Sequence, residues 1–209
     1  MKTVLLTGFE PFGGETINPS QAVALRLHGE LIRRHRIEGA VLPCVFRDSL
    51  SLLRRLIRRH EPAVVICLGQ AGGRAAITPE RVAINIDDAR MPDNAGQQPV
   101  DRPVVRGGPA AYFSTLPLKT MVRDMRDAGL PAEVSQTAGT FVCNHVFYGL
   151  MHALRDRPAL RDGFIHLPWL PGQGTPALEL AALETGIRLA ITSALARRRD
   201  LRLAGGRLH

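Results

Sequence analysis

Cysteine, histidine and the carboxylates are the side chains that carry nucleophilic and proton-transfer chemistry, and one cysteine in this chain stands apart by its surroundings. Cys143 lies in Thr137-Ala138-Gly139-Thr140-Phe141-Val142-Cys143-Asn144-His145, directly ahead of an apolar-periodic run over 146–154. A thiol at a helix start faces free backbone N–H groups and the positive end of the helix dipole. These favour thiolate and can bring a pKa from about 8.5 down to between about 3.5 and 7.5. The same N–H groups can hold an oxyanion. Cys44, in Ala40-Val41-Leu42-Pro43-Cys44-Val45-Phe46, and Cys67, in Ala63-Val64-Val65-Ile66-Cys67-Leu68, read instead as small buried hydrophobes in strands. Three widely spaced cysteines make neither a disulfide framework nor a paired zinc spacing.

A nucleophilic thiol asks for a base, and the base for an orienting carboxylate. His145 lies two positions from Cys143 on the expected helix, about 200° around its axis, and points elsewhere. His152 is more than two turns further along and out of reach. His166 closes the apolar run 163–167, and Glu80 lies in Thr78-Pro79-Glu80-Arg81, a little beyond another apolar run. Taken singly, a histidine in an apolar strand is more often a core residue, and a lone glutamate a surface one. The glycine-rich stretch 8–14 can cradle phosphate, but it lacks both the Gly-Lys-Ser/Thr and the Gly-x-Gly-x-x-Gly spacing. With the basic charge, it keeps nucleoside phosphorylase-like chemistry open as an alternative to nucleophilic acyl transfer.

Alternating apolar and amphipathic stretches set the frame that must position these groups. Strands are expected over 2–7, 37–46, 63–68, 132–135 and 163–167, with Val82–Ile86 alternating inside a Gly-, Pro-, Asp- and Asn-rich region, 69–117. Asn18-Pro19 supplies an N-cap and a first-turn proline for a helix to about His28, and Asp48 caps one to about His60. Further helices are expected over 118–128, from Cys143 to about Arg155, and from Thr175-Pro176 to about Arg199. The alternation implies an α/β fold, a three-layer αβα sandwich with a mostly parallel twisted central sheet. In such sheets functional groups gather at the carboxyl ends of the strands, so thiol, imidazole and carboxylate can meet at one edge. Without internal repeats or a linker, residues 1–199 read as one domain, and 200–209 as a flexible basic tail.

The 209 residues suffice for one full core, and 45% hydrophobic with 22% charged content is ordinary for a soluble globular protein. No apolar stretch approaches the ~20 residues of a membrane span, and the start lacks a signal-peptide pattern, so a cytoplasmic location is expected. A formal charge of +8 invites a nucleic-acid reading. The basic clusters at Arg33-Arg34-His35-Arg36 and at Arg54-Arg55 with Arg58-Arg59 alternate with leucine and isoleucine, as solvated helix faces do; a third, Arg197-Arg198-Arg199, opens the tail. No aromatic residues interleave them to stack bases, so no nucleic-acid partner is expected. No His-Glu-x-x-His or clustered Cys/His pair implies a metal.

Six stretches stand in one order: Gly8-Phe9-Glu10-Pro11-Phe12-Gly13-Gly14, Gly69-Gln70-Ala71-Gly72-Gly73-Arg74, Thr78-Pro79-Glu80-Arg81-Val82-Ala83-Ile84-Asn85, Ala89-Arg90-Met91-Pro92-Asp93-Asn94, the Cys143 stretch, and Gly163-Phe164-Ile165-His166-Leu167-Pro168. Together they resemble the pyrrolidone-carboxylate peptidase (pyroglutamyl-peptidase I) family over about residues 1–195. The resemblance implies a cytoplasmic, cofactor-free and metal-free cysteine exopeptidase that assembles as dimers or tetramers. It would hydrolytically remove N-terminal pyroglutamyl (5-oxoproline) residues from peptides through a thioester acyl-enzyme. It carries a Glu–Cys–His triad onto Glu80, Cys143 and His166, and a carbonyl-polarising arginine onto Arg90. It also implies aromatic pocket walls at Phe9 and Phe12, polar pocket residues at Asn18 and Gln70, and apolar lining at Phe141 and Val142. Met91 and Cys44 depart mildly from the family pattern, which touches pocket shape and not chemistry.

Overall fold

The computed structural model describes residues 2–196 and 199–206. The apolar runs of the central strands are sorted by their two-residue period onto two faces of one sheet. In β1 (Lys2–Phe9), β4 (Val64–Gln70) and β8 (Arg161–Leu167), the side chains of Val4, Leu6, Val64, Ile66, Leu68, Ile165 and Leu167 join one core. Leu5, Phe9, Val65, Cys67 and Phe164 join the other. The first core is covered by α1 (Pro19–Arg26), α3 (Leu118–Asp127) and α5 (Leu180–Ala196). The second is covered by α2 (Asp48–His60) and α4 (Val142–Leu154). This is the expected three-layer α/β architecture.

The six-stranded sheet runs β2-β3-β1-β4-β8-β5, where β2 is Leu31–Ile32, β3 His35–Leu42 and β5 Thr78–Pro79. The four inner strands are parallel, and the two short edge strands are antiparallel to their neighbours. A separate antiparallel pair, β6 (Val82–Ile84) with β7 (Ala111–Phe113), lies within the region expected to be mostly loop. The register that matters most sets Gly69 of β4 opposite His166 of β8.

Local chemistry explains both agreements and departures. Asn18 caps α1 as expected, its side chain accepting from the Ser20 N–H. Asp48, by contrast, is the first residue of α2 and not its cap: Arg47 holds that position with φ 66°. The Arg33-Arg34 cluster is not on a helix. Both residues have positive φ (46° and 63°) and form the two-residue turn joining β2 to β3, a turn that usually asks for Asn or Gly. Arg54, Arg55, Arg58 and Arg59 do lie on the solvated face of α2.

The stretch 132–135 is not a full strand but makes single bridges, Ala132 to Ile77 and Ser135 to Glu80. Thr175-Pro176 does not open the last helix; α5 starts at Leu180, with Ala182 and Leu183 donating back to the Glu179 carbonyl. Arg197, Arg198 and residues 207–209 lie outside the described residues. The segment expected to trail freely is fastened where it is described. The Asp200 carboxylate accepts from the Lys119 and Thr120 N–H groups, supplying the side-chain cap that Pro117 cannot give α3. The Gly205 carbonyl accepts from Arg81. Among the described residues, no helix is long and apolar enough to cross a membrane.

One buried carboxyl makes stability pH-dependent. Burial in β8 pushes Asp162 from 3.8 up to about 6, against a hydrogen bond from Thr115. Because the folded pKa is raised, the folded chain holds more protons than the unfolded one between these values, and stability falls as pH rises from about 4 to above 6. Asp162→Asn keeps the acceptor for Thr115 and removes the titration. Urea unfolding should show the variant gaining stability over the parent as pH rises, approaching about 3 kcal/mol at pH 8 for a shift of this size. A gain that does not grow with pH would contradict the assignment.

Candidate active site

At the carboxyl ends of β4 and β8 a small residue and a histidine face each other. Side chains of even-numbered residues in β8 and odd-numbered ones in β4 point toward α4, so His166 and the bare Cα of Gly69 share that face. The Cys143 side chain, in the first turn of α4, fills the space over Gly69. A Cβ at position 69 would stand 2.8 Å from Sγ and 2.7 Å from the Phe164 ring. The glycine is therefore what lets the thiol sit on the sheet, over the residue that pairs with His166. Cys143 is half-buried, while Cys44 and Cys67 are fully buried.

His166 is 4% exposed, and its Nδ1 lies 2.7 Å from Glu80 Oε1. A carboxylate can only accept, so Nδ1 carries a proton, and in the neutral ring the lone pair is on Nε2. Glu80 has no exposed surface and is held on both sides: its N–H donates to the Phe164 carbonyl, and its flank bridges to Ser135. The antiparallel pairing of β5 with β8 brings Glu80 and His166 onto one face as diagonal neighbours. Arg74 completes the cluster, with Nη1 donating to Glu80 Oε1 at 2.6 Å and to Thr78 Oγ1 at 2.7 Å, and Nη2 to the Thr137 carbonyl at 2.9 Å. Burial acts to raise the Glu80 pKa. The His166 hydrogen bond, the His166 charge and the Arg74 guanidinium outweigh it and hold the carboxyl below its usual range.

The thiol behaves oppositely. Burial pushes Cys143 well above its ordinary value, Cys44 and the Glu80 charge add to the rise, and Arg74 opposes it. Desolvation thus works against the lowering expected of a thiol at a helix start. The helix start itself is open: Phe141 occupies the cap position without a side-chain hydrogen bond, and the first closed turn begins with His145 N–H to the Phe141 carbonyl. The competing histidines are engaged elsewhere. His145 Nδ1 meets Asp87 at 2.9 Å and its Nε2 accepts from the Arg47 N–H, while His152 Nδ1 lies 2.8 Å from the Tyr112 hydroxyl.

A cavity of about 720 Å³ is walled by Phe12, Gln70, Arg90, Met91, Phe141 and Trp169 among others; Gln70 follows Gly69 in the chain and Phe141 precedes the first residue of α4. The Arg90 guanidinium is exposed there and has no hydrogen-bond or ion-pair partner among the described residues. Three of the expected pocket residues are not on the wall. Phe9 is 1% exposed because β1 turns it into the core, with its ring 6.4 Å from that of Phe164. Val142 is likewise a core residue of α4. Asn18 is 2% exposed, with its amide spent on Ser20 and on the Glu10 carbonyl. Met91 reaches the wall, whereas Cys44 is a buried core residue, its thiol raised to about 12 by burial.

Residues 2–197 match the family model for pyroglutamyl peptidase. The pyrrolidone-carboxylate peptidases of Cupriavidus taiwanensis and Klebsiella pneumoniae are 57% and 55% identical to this chain, each aligned over the whole of both sequences. The crystal structure of pyroglutamyl peptidase I from Bacillus amyloliquefaciens superposes with a TM-score of 0.94 at 48% identity, covering 97% of this chain and 99% of that one. Pyrrolidone carboxyl peptidase from Thermococcus litoralis gives 0.94 at 37% identity, covering 98% and 100%. The chain belongs to the pyroglutamyl peptidase family. In this pyroglutamyl peptidase, the residue that sequence reasoning passed over is Arg74. It stands in the second shared stretch, but nothing in its spacing announces that it reaches six positions forward to Glu80.

Gly69→Ala forces Sγ or the Phe164 ring to move. Urea unfolding should show a loss of about 1–3 kcal/mol, the usual result of overpacking. Mapping iodoacetamide adducts should show a changed alkylation rate at Cys143, with Cys44 and Cys67 still protected. Wild-type stability and reactivity together would mean that the contact over Gly69 is not close.

Proposed function

We propose that this enzyme hydrolyses the bond after an N-terminal pyroglutamyl residue, using Cys143 as nucleophile, His166 as base and acid, and Glu80 as the orienting carboxylate. What supports the reading is the seating of the Cys143 thiol over Gly69, the strand partner of His166, together with the hydrogen bond of His166 to Glu80. Since Nδ1 is turned to Glu80, Nε2 is the nitrogen available to take the thiol proton. Thiolate attack on the pyroglutamyl carbonyl then gives a tetrahedral oxyanion. The N–H groups at the open start of α4 and the unpaired Arg90 guanidinium receive that charge; each such donor is worth about 3–4 kcal/mol of barrier. Protonated His166 returns its proton to the departing amine, leaving a thioester. Water, activated by the same nitrogen, hydrolyses it.

The raised thiol and the depressed carboxyl divide the labour. Glu80 stays ionised and stabilises the imidazolium when it forms, whereas burial opposes ionisation of the Cys143 thiol. Pyroglutamate has no free α-amine, so its pocket needs a flat neutral slot with amide partners, which Phe12, Phe141 and Gln70 offer. Groups placed to hydrogen-bond a lactam reject prolyl substrates, whose ring lacks the carbonyl, because they would be left unpaired.

Hydrolysis of a pyroglutamyl-arylamide should be abolished in Cys143→Ala, and should fall on the order of 10²–10⁴-fold in kcat for Glu80→Gln with little change in KM. Wild-type rates in either variant would remove that residue from the mechanism. In the free enzyme, the alkylation rate at Cys143 should climb continuously from pH 6 to pH 9. A plateau already reached below pH 6 would instead reveal a resting thiolate–imidazolium pair.

A further inference from the structure

Gln173 makes no contact with the Cys143, His166 and Glu80 cluster, yet its side-chain amide joins three loops around the cavity. Its Oε1 accepts from the Leu170 N–H at 3.0 Å. Its Nε2 donates to Glu15 Oε2 and the Ile17 carbonyl, each at 3.2 Å, and to Gln70 Oε1 at 3.1 Å. The turn that carries Gln173 is itself fixed. Its N–H donates back to the Leu170 carbonyl, Leu178 N–H donates to the Trp169 carbonyl, and the Trp169 indole is clamped between glycines. A Cβ on Gly72 or Gly174 would fall 2.2 Å or 2.4 Å from the indole.

These partners decide which way two amides point. The Leu170 N–H can only donate, and the Ile17 carbonyl and an ionised Glu15 carboxylate can only accept, so the Gln173 amide has one satisfactory orientation. Its NH₂ end therefore faces Gln70, and only the oxygen of Gln70 can answer it. The NH₂ of Gln70 is then turned away, toward the cavity that Gln70 lines. An unrestrained glutamine can present either end to a ligand at nearly equal cost. This one presents a donor.

We propose that Gln173 is a specificity-positioning residue that locks the Gln70 amide as a hydrogen-bond donor to the ring carbonyl of the substrate. This rests on the reading of the cavity as a lactam slot. A locked donor selects rings that carry a carbonyl and repels none of the Cys143 chemistry, so its loss appears in recognition and not in nucleophile reactivity. Gln173→Glu would do more than remove the lock. An anionic oxygen facing Gln70 pulls the NH₂ end toward itself and turns the Gln70 oxygen to the cavity, where it opposes the lactam carbonyl.

The test uses the full chain and two arylamides, one of 3-oxocyclopentanecarboxylic acid, which keeps the ring carbonyl without the lactam nitrogen, and one of cyclopentanecarboxylic acid, which has neither. The parent enzyme should prefer the oxo ring in kcat/KM. Gln173→Leu should lower kcat/KM on the pyroglutamyl-arylamide by about tenfold, mainly through KM, and erode the oxo preference by a similar factor. Gln173→Glu should lower both further. Iodoacetamide alkylation of Cys143 and the thermal midpoint show whether each variant is folded with an intact nucleophile. Gln70→Leu should lose the same preference, with the double variant no worse than the worse single one. If Gln70→Leu loses the preference and both Gln173 variants keep it, the lock is overturned while the slot stands. If Gln70→Leu also keeps it, the lactam-slot reading falls, and the lock with it.

Discussion

A carboxylate with no exposed surface is the constraint around which this end of the molecule is arranged. Burying an ionised group costs several kcal/mol unless charged and hydrogen-bonding partners surround it. Glu80 meets that cost through Oε1, which accepts from both His166 and Arg74. Neither partner belongs to the same element as Glu80, so the carboxylate pins together a short edge strand, the last turn of β8 and the loop after β4. Arg74 also reaches the Thr137 carbonyl, which lies in the approach to α4. The acid that orients the imidazole thereby also holds the chain leading to the thiol.

The same geometry shows how much chemistry was legible before any coordinates. Cys143 stands out because an apolar helix follows it directly. His145 and His152 are dismissed by helical angle and rise alone, and in the structure their rings are engaged with Asp87 and Tyr112. The apolar runs of β1, β4 and β8 announce a buried parallel sheet because residues covered on both faces need not alternate. What stayed hidden depends on contacts distant in sequence. The pairing of Thr78 with His166 spans 88 positions and needs only two residues of strand. The cap that Asp200 gives to α3 comes from 80 positions away. At Arg33-Arg34 local pattern pointed the wrong way, since charged residues between leucine and isoleucine resemble a helix face, whereas hairpin pairing forces both into positive φ.

Pocket residues illustrate a different limit. The resemblance assigns Phe9, Asn18 and Val142 to the pocket, but the two-residue period of β1 and the 3.6-residue period of α4 decide which side Phe9 and Val142 face. Phe9 and Val142 go to the core, and Asn18 is consumed in holding α1 against the end of β1. Phe12 and Arg90 sit on loops, Phe141 precedes the first residue of α4 and Gln70 closes β4, and these are the ones that reach the wall. Proximity in a motif locates the site; the periodicity of the element carrying a residue decides whether it touches a ligand.

The opposed shifts of Glu80 and Cys143 place a limit on how the proposed reaction can be driven. Moving a proton from thiol to imidazole creates a negative sulfur at a half-buried position, and desolvation resists that step. The Glu80 charge helps the imidazolium but repels the thiolate, so the carboxylate cannot by itself produce a stable ion pair. Net stabilisation of negative charge must come from groups without a fixed negative partner, and these are the N–H groups opening α4 and the Arg90 guanidinium. In the proposed mechanism these donors meet the substrate oxygen, so negative charge is best tolerated once it has moved from sulfur to oxygen, and binding of the correct acyl group favours ionisation of the nucleophile.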